Sequence, residues 1–125
     1  MAAITVSVDR SAGRTGVKNR FYGTGGSNSA DTLTSTAVAE HKTQRLNYVT
    51  CVYSGAATQA GVTVTLDSGL GSAYDALLST GSANAINTVY LPDGDVYLFS
   101  GDAIVVASPA GGSVTAAIVI VTEDV

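Results

Sequence analysis

The sequence predicts an all-β fold: a single antiparallel β-sandwich or jelly-roll-like barrel with an extended, glycine-rich basic N-terminal arm. β-Branched residues are abundant, with 16 Val, 15 Thr and 5 Ile among 125 residues, and their stiff side chains suit a pleated sheet better than a helix. Short apolar/polar alternations recur between Gly-, Pro- and Asp-containing turns at intervals of about 8–12 residues, the cadence of sandwiches and barrels. Charged residues make up only 13% of the chain, which argues against a coiled coil and against a highly charged disordered polymer. The length suits one domain with one core.

The elements follow in order. Residues 3–8 (Ala-Ile-Thr-Val-Ser-Val) alternate with period two and read as a short strand or extended arm. Residues 11–30 hold five glycines and little to bury, so residues 1–30 are expected to form a flexible basic arm and residues 31–125 the sandwich. Residues 33–39 fit a strand or the start of a short helix running to Arg45; Thr32, Thr34 and Thr36, poor helix formers, tip the balance to strand. Residues 44–54 read as a long strand with Leu46, Tyr48 and Val52 on one face and Cys51 on the other. Residues 61–66 give the cleanest alternation, Val62, Val64 and Leu66 inward and Thr63 and Thr65 outward. Residues 73–79 fit a helical turn or a short strand. Ile86 to Leu91 and Val96 to Phe99 are expected as strands of a hairpin turning at Pro92-Asp-Gly-Asp95, with Tyr90 opposite Tyr97 and Leu91 opposite Val96. Residues 103–108 and 113–123 complete the set. The last carries Ile118 and Ile120 on one face and Val119 and Val121 on the other, as a central or interface strand does.

Charge is divided unevenly. All six basic residues lie within the first 45 positions, while residues 46–125 carry seven acids and no base. An acidic body repels phosphate backbones, so no nucleic-acid partner is expected. The longest apolar run, Ala116 to Val121, is far short of the ~20 residues of a membrane span, so no membrane partner is expected either. The first residues carry no basic leader or long apolar stretch of the secretory type, and a lone Cys51 closes no intramolecular disulfide.

Catalytic chemistry is hard to assemble from these residues. His41 is the single histidine. A two-histidine metal site is therefore impossible, and no Gly-x-Ser-x-Gly elbow presents a serine nucleophile. His41 within Glu40-His-Lys42 reads as a solvated surface residue. Cys51, mid-strand with no neighbouring cation, reads as a small buried hydrophobe. Asp93, Asp95 and Asp102 are the best calcium candidates, although turn aspartates serve their own local hydrogen bonds. Asp67, Asp75, Asp93 and Asp95 would have to supply any carboxylate pair for glycoside hydrolysis. Tyr48, Tyr53, Tyr74, Tyr90 and Tyr97 could line a ligand platform but more simply supply core volume with rim hydroxyls. No catalysis, metal or cofactor is expected. The strongest binding feature is the basic segment Arg10, Arg14, Lys18 and Arg20 followed by Phe21 and Tyr22. Its arginines would meet carboxylates, and the aromatic pair would anchor in a partner's groove.

Within residues 61–125, the runs Tyr74-Asp-Ala-Leu-Leu78, Val89-Tyr-Leu-Pro-Asp-Gly94, Leu98 to Val106 and Gly111 to Val121 together resemble small all-β structural proteins of tailed-bacteriophage virions, most of all the capsid decoration (cement) proteins. The resemblance lies in cadence and carries no diagnostic motif. It implies a protein made in the host cytoplasm and placed on the outer capsid surface. There it would clamp neighbouring copies of the major capsid protein, itself a homo-oligomer with a trimer favoured. The alternative from another class is a receptor- or glycan-binding β-module of a tail fibre or cell surface.

Overall fold

The computed structural model describes residues 2–3, 7–10, 18–92 and 96–125, the first two stretches by their backbone alone. The chain forms two sheets packed face to face. One contains β1 (Ala2–Ala3), β4 (Asp31–Thr34), β10 (Ala103–Ser108), β6 (Thr63–Asp67) and β7 (Ala76–Thr80), in that spatial order. The other has the order β2 (Ser7–Arg10), β3 (Lys18–Thr24), β11 (Ala116–Asp124), β5 (Gln44–Tyr53) and β8 (Asn87–Tyr90), with β9 (Tyr97–Leu98) also paired to β5. All pairings are antiparallel except β1 with β4. This is the expected β-sandwich.

The alternation of the sequence builds the core. Val62, Val64, Ile104, Val106 and Leu33 come from the five-stranded side; Phe21, Leu46, Val49, Cys51, Tyr53, Leu98, Ile118 and Ile120 come from the six-stranded side. Thr63 and Thr65 face outward as expected. β11 lies between β3 and β5, which explains its apolar residues on both faces.

Four expectations need correction. Residues 18–24 belong to no arm: β3 is an internal strand between β2 and β11, with Asn19 and Phe21 buried and Lys18, Arg20 and Tyr22 outward. Base and glycine content hid a period-two pattern there. Of the rest of the expected arm, Ala2–Ala3 and Ser7–Arg10 are strands β1 and β2, while residues 1, 4–6 and 11–17 fall outside the described residues. The hairpin between residues 86–91 and 96–99 does not form, because β8 and β9 run in the same direction along one edge of β5. Tyr90 lies opposite Val49 and Tyr97 opposite Arg45. The chain leaves that edge after Tyr90 and returns at Val96, whose carbonyl accepts from Leu46 N–H at 2.9 Å; residues 93–95 lie outside the described ones.

The strand expected over 33–39 is confined to β4. Ser35 still donates to Ile104 at 2.9 Å, then the chain departs, turning at His41 in the left-handed region with φ 64°. Finally, Leu46 does not share a face with Tyr48 and Val52. A register shift against Val121 and Thr122 inserts one extra residue in β5, so Leu46 points inward and so do Val49, Cys51 and Tyr53. Residues 73–79 resolve into both alternatives, a 3-10 turn at Ser72–Tyr74 leading into β7.

Cys51 is buried, and burial pushes its thiol up to about 11 from 9.0. The Tyr53 phenol beside it is also raised by burial, although its hydroxyl shares a hydrogen bond with Ser108. Between about pH 9 and 11 the unfolded thiol ionises while the folded one keeps its proton, so stability is full below pH 9 and falls across that window. Urea midpoints compared at pH 8 and pH 10.5 are expected to drop more for the wild type than for Cys51→Ala. An equal drop would show that Cys51 contributes nothing to the alkaline loss.

Candidate functional site

The two outer faces of the sandwich differ in chemistry. On the five-stranded sheet the outward positions are Thr32 and Thr34 on β4, Val105 and Ala107 on β10, and Thr63 and Thr65 on β6. That surface is small-residue and hydroxyl-rich except at its edge strand β7, where Leu77, in register with Thr65, is 63% exposed.

The six-stranded sheet presents larger apolar groups in register. One row runs Tyr22, Val119, Thr50, Val89 across β3, β11, β5 and β8; the next runs Thr24, Ala117, Val52, Asn87. Toward the other end come Arg20, Val121, Tyr48 and then Lys18, Glu123, Arg45, Tyr97. Val52 is 44% exposed and Val89 56%, unusual for valines on a sheet face that no other described residues cover. Val121 is the exception in this set, being buried between its register neighbours Arg20 and Tyr48.

Charge frames the patch on one side. The Arg20 guanidinium lies 5.2 Å from the centre of the Tyr22 ring, a cation–π contact that holds both groups outward. Arg45 pairs with Glu123, both partly buried, at the end of the face that Lys18 shares. The arrangement is an apolar centre with a charged rim, the anatomy of a protein interface.

One end of the sandwich adds a second apolar feature. The Asp102 carboxylate accepts from Gly69 N–H at 2.8 Å and from Phe99 N–H at 2.9 Å, and a Cβ on Gly69 would strike the backbone of Gly101 at 2.8 Å. Two loops are thereby tied together, and Leu70, Tyr74 and Phe99 stand on them well exposed. Asp102→Ala leaves two amides without their charged acceptor, so a loss of about 2–3 kcal/mol is expected in urea unfolding. Faster amide exchange at Gly69 and Phe99 should accompany it. Unchanged stability and exchange would mean that the loops hold themselves.

Behind the face, Asn19, Gln44, Thr122 and Asp124 form a buried network on three adjacent strands. Asp124 accepts from Asn19 at 2.8 Å and from Gln44 at 3.1 Å, and Thr122 donates to Gln44 at 3.0 Å. A small cavity of about 110 Å³ lined by Phe21, Thr36, Lys42, Gln44 and Asp124 adjoins it. The network fixes the register of β3, β11 and β5, and therefore the rows on the outer face.

The candidate binding residues are divided by this geometry. Lys18, Arg20 and Tyr22 lie together on the outer face. Phe21 points the other way, 3% exposed in the core, and cannot anchor in a partner's groove. Arg10 is in β2, opposite Asn19. Arg14 lies outside the described residues, as do Asp93 and Asp95. Asp102 is engaged by the two loop amides, and Asp75 accepts from Ser68 N–H at 2.8 Å. His41 is exposed and 3.5 Å from the equally exposed Glu40. Tyr53 is buried and Tyr90 packs against the core, whereas Tyr48, Tyr74 and Tyr97 are exposed. Among the described residues no three His, Cys, Asp or Glu side chains gather where they could hold a metal ion, and no helix is long and apolar enough to cross a membrane. Sequence reasoning missed Val52, Val89 and Val119 as site residues; the signal was the two-sided apolarity of the strand at 113–123.

No protein-family model matches the chain, and no curated protein matches it. Among solved structures it is similar in outline to a family 29 carbohydrate binding module, with 12% identity and a TM-score of 0.42 over 95% of this chain and 73% of that one. A family 16 carbohydrate binding module gives 10% identity and a TM-score of 0.40 over 98% and 84%. The protein FLHE gives 17% identity and a TM-score of 0.36 over 88% and 98%. At these scores the likeness transfers no residue and no activity.

Proposed function

We propose that this chain is a non-catalytic structural protein of a phage virion, decorating the outer capsid surface and docking there through the outer face of its six-stranded sheet. The observation that carries the reading is the row Tyr22, Val119, Val89 with Val52 beside it, an uncovered apolar strip running across four strands. A sheet face of valines and tyrosines lies higher in free energy in water than when another surface covers it. Its aliphatic share fits a protein surface better than a sugar ring, which prefers aromatic planes. Lys18 and Arg20 at the rim suit carboxylates on the shell. Further support comes from the resemblance of residues 61–125 to decoration proteins and from an acidic body suited to the outside of a DNA-filled shell. The partners in this reading are the major capsid protein and further copies of the chain, as a trimer.

The receptor- or glycan-binding reading is favoured by a different observation: Tyr22, Tyr48 and Tyr97 are all exposed on this one face. Co-sedimentation of the purified chain with shells that lack it separates the two. Saturable binding that excess neutral oligosaccharide does not displace is expected. Absence of the chain from the shell pellet would overturn the decoration reading, and displacement by oligosaccharide would favour the glycan one.

A further inference from the structure

The edges of the two sheets that carry β7 and β8 are joined by residues 81–86, and between them lies a cleft of about 250 Å³. Its lining includes Ser79, Thr80, Ser82, Asn87 and Thr88, and no charged side chain takes part. β7 and β8 each end their sheet here, so among the described residues each has one side with no strand beside it. Backbone donors and acceptors along those sides add to the hydroxyls and the amide. Thr88 Oγ1 is shielded from solvent and has no hydrogen-bond partner in the protein, a costly state for a hydroxyl. Gly81 packs directly against it, since a Cβ there would lie 2.8 Å from the same oxygen.

We infer that this cleft is a binding site for a neutral polyhydroxylated ligand, a single saccharide ring. The volume falls below the range of drug-sized pockets and suits one ring. Hydroxyls and an amide offer paired donors and acceptors that match the vicinal hydroxyls of a sugar, and the absence of charge disfavours phosphate and carboxylate ligands. Val89 and Ala85 supply the small apolar contact that a C–H face requires. No aromatic ring lines the cleft, so the site is weak, with dissociation constants in the millimolar range. The cleft shares Val89 and Asn87 with the edge of the docking face, but Ser79, Thr80 and Ser82 lie outside those rows, and the inference does not depend on the capsid reading.

The test is a ¹⁵N-HSQC titration of the full chain with glucose, galactose and N-acetylglucosamine, with their β-linked oligomers as a second arm and glucuronate as a charged control. Fast-exchange shifts confined to residues 79–89 are expected with at least one neutral sugar, with glucuronate no better. A larger effect from the oligomers would place the site on a glycan chain, an equal one on free sugar. Thr88→Val, which keeps the shape, is expected to weaken binding about tenfold, and the exposed Ser82→Ala serves as a second variant should the first fail to fold. Val119→Asp should leave the titration unchanged, so failure at the sheet face and failure here are distinguishable. No shift with any neutral sugar up to about 50 mM, or shifts that persist unaltered in both cleft variants, would overturn the inference.

Discussion

Val119→Asp is expected to abolish attachment to shells, lowering affinity by at least about a hundredfold, while the sandwich stays folded. Val119 sits at the middle of the outer face, with Tyr22 opposite on β3 and Thr50 opposite on β5. A carboxylate there would be desolvated by any covering partner with no cation across from it; the rim bases Arg20 and Lys18 lie in neighbouring rows. In the free protein the position is half-exposed, so the cost to folding is that of a poor strand residue, about 1 kcal/mol. Thr34→Asp, at an exposed position on the opposite sheet, is the matched control and should bind as the wild type does. Co-sedimentation together with a thermal melt decides the matter. Wild-type decoration by a folded Val119→Asp protein would place the docking surface elsewhere.

Ile118→Ala and Ile120→Ala are expected to cost about 3–4 kcal/mol each. Both side chains are fully buried on the inner face of β11, the strand flanked by β3 and β5, and lie in the core with Val64, Val106 and Leu33 from the facing sheet. Each substitution removes apolar volume from a layer that cannot collapse without moving the sheets together. A domain of this size has only about 5–15 kcal/mol in total, so the double variant should be largely unfolded at room temperature. Urea unfolding measures each loss. Values below about 1 kcal/mol would mean that the two sheets do not pack through this pair.

The sandwich was legible because alternation survives wherever both faces of a strand are distinct. Val62 to Leu66 and Ala103 to Ser108 reveal their inward set directly. Residues 18–24 were misread because their outward positions carry Lys18, Arg20 and Tyr22 and their inward ones Asn19 and Gly23, leaving Phe21 as the one apolar core residue. Asn19 is buried where its Nδ2 donates to Thr122 and Asp124, about a hundred residues away. No local pattern reports that. The bulge in β5 was equally hidden, since one extra residue reverses every face after it and its cause lies in the pairing with β11. The two strands that flank Pro92-Asp-Gly-Asp95 pair with β5 instead of each other. Of the candidate site, the cations at Lys18 and Arg20 and the ring of Tyr22 were visible; the valines that join them on the face became visible only through the register of four strands.

As a capsid decoration protein, the role proposed above, the chain would be a copy-rich component of a virion shell. Quantitative peptide mass spectrometry of gradient-purified virus particles from the source of the sequence tests it most directly. The account predicts hundreds of copies per particle, in simple ratio to the major shell protein. A handful of copies would move the chain to the neck, tail or fibre, and complete absence from particles would contradict the account.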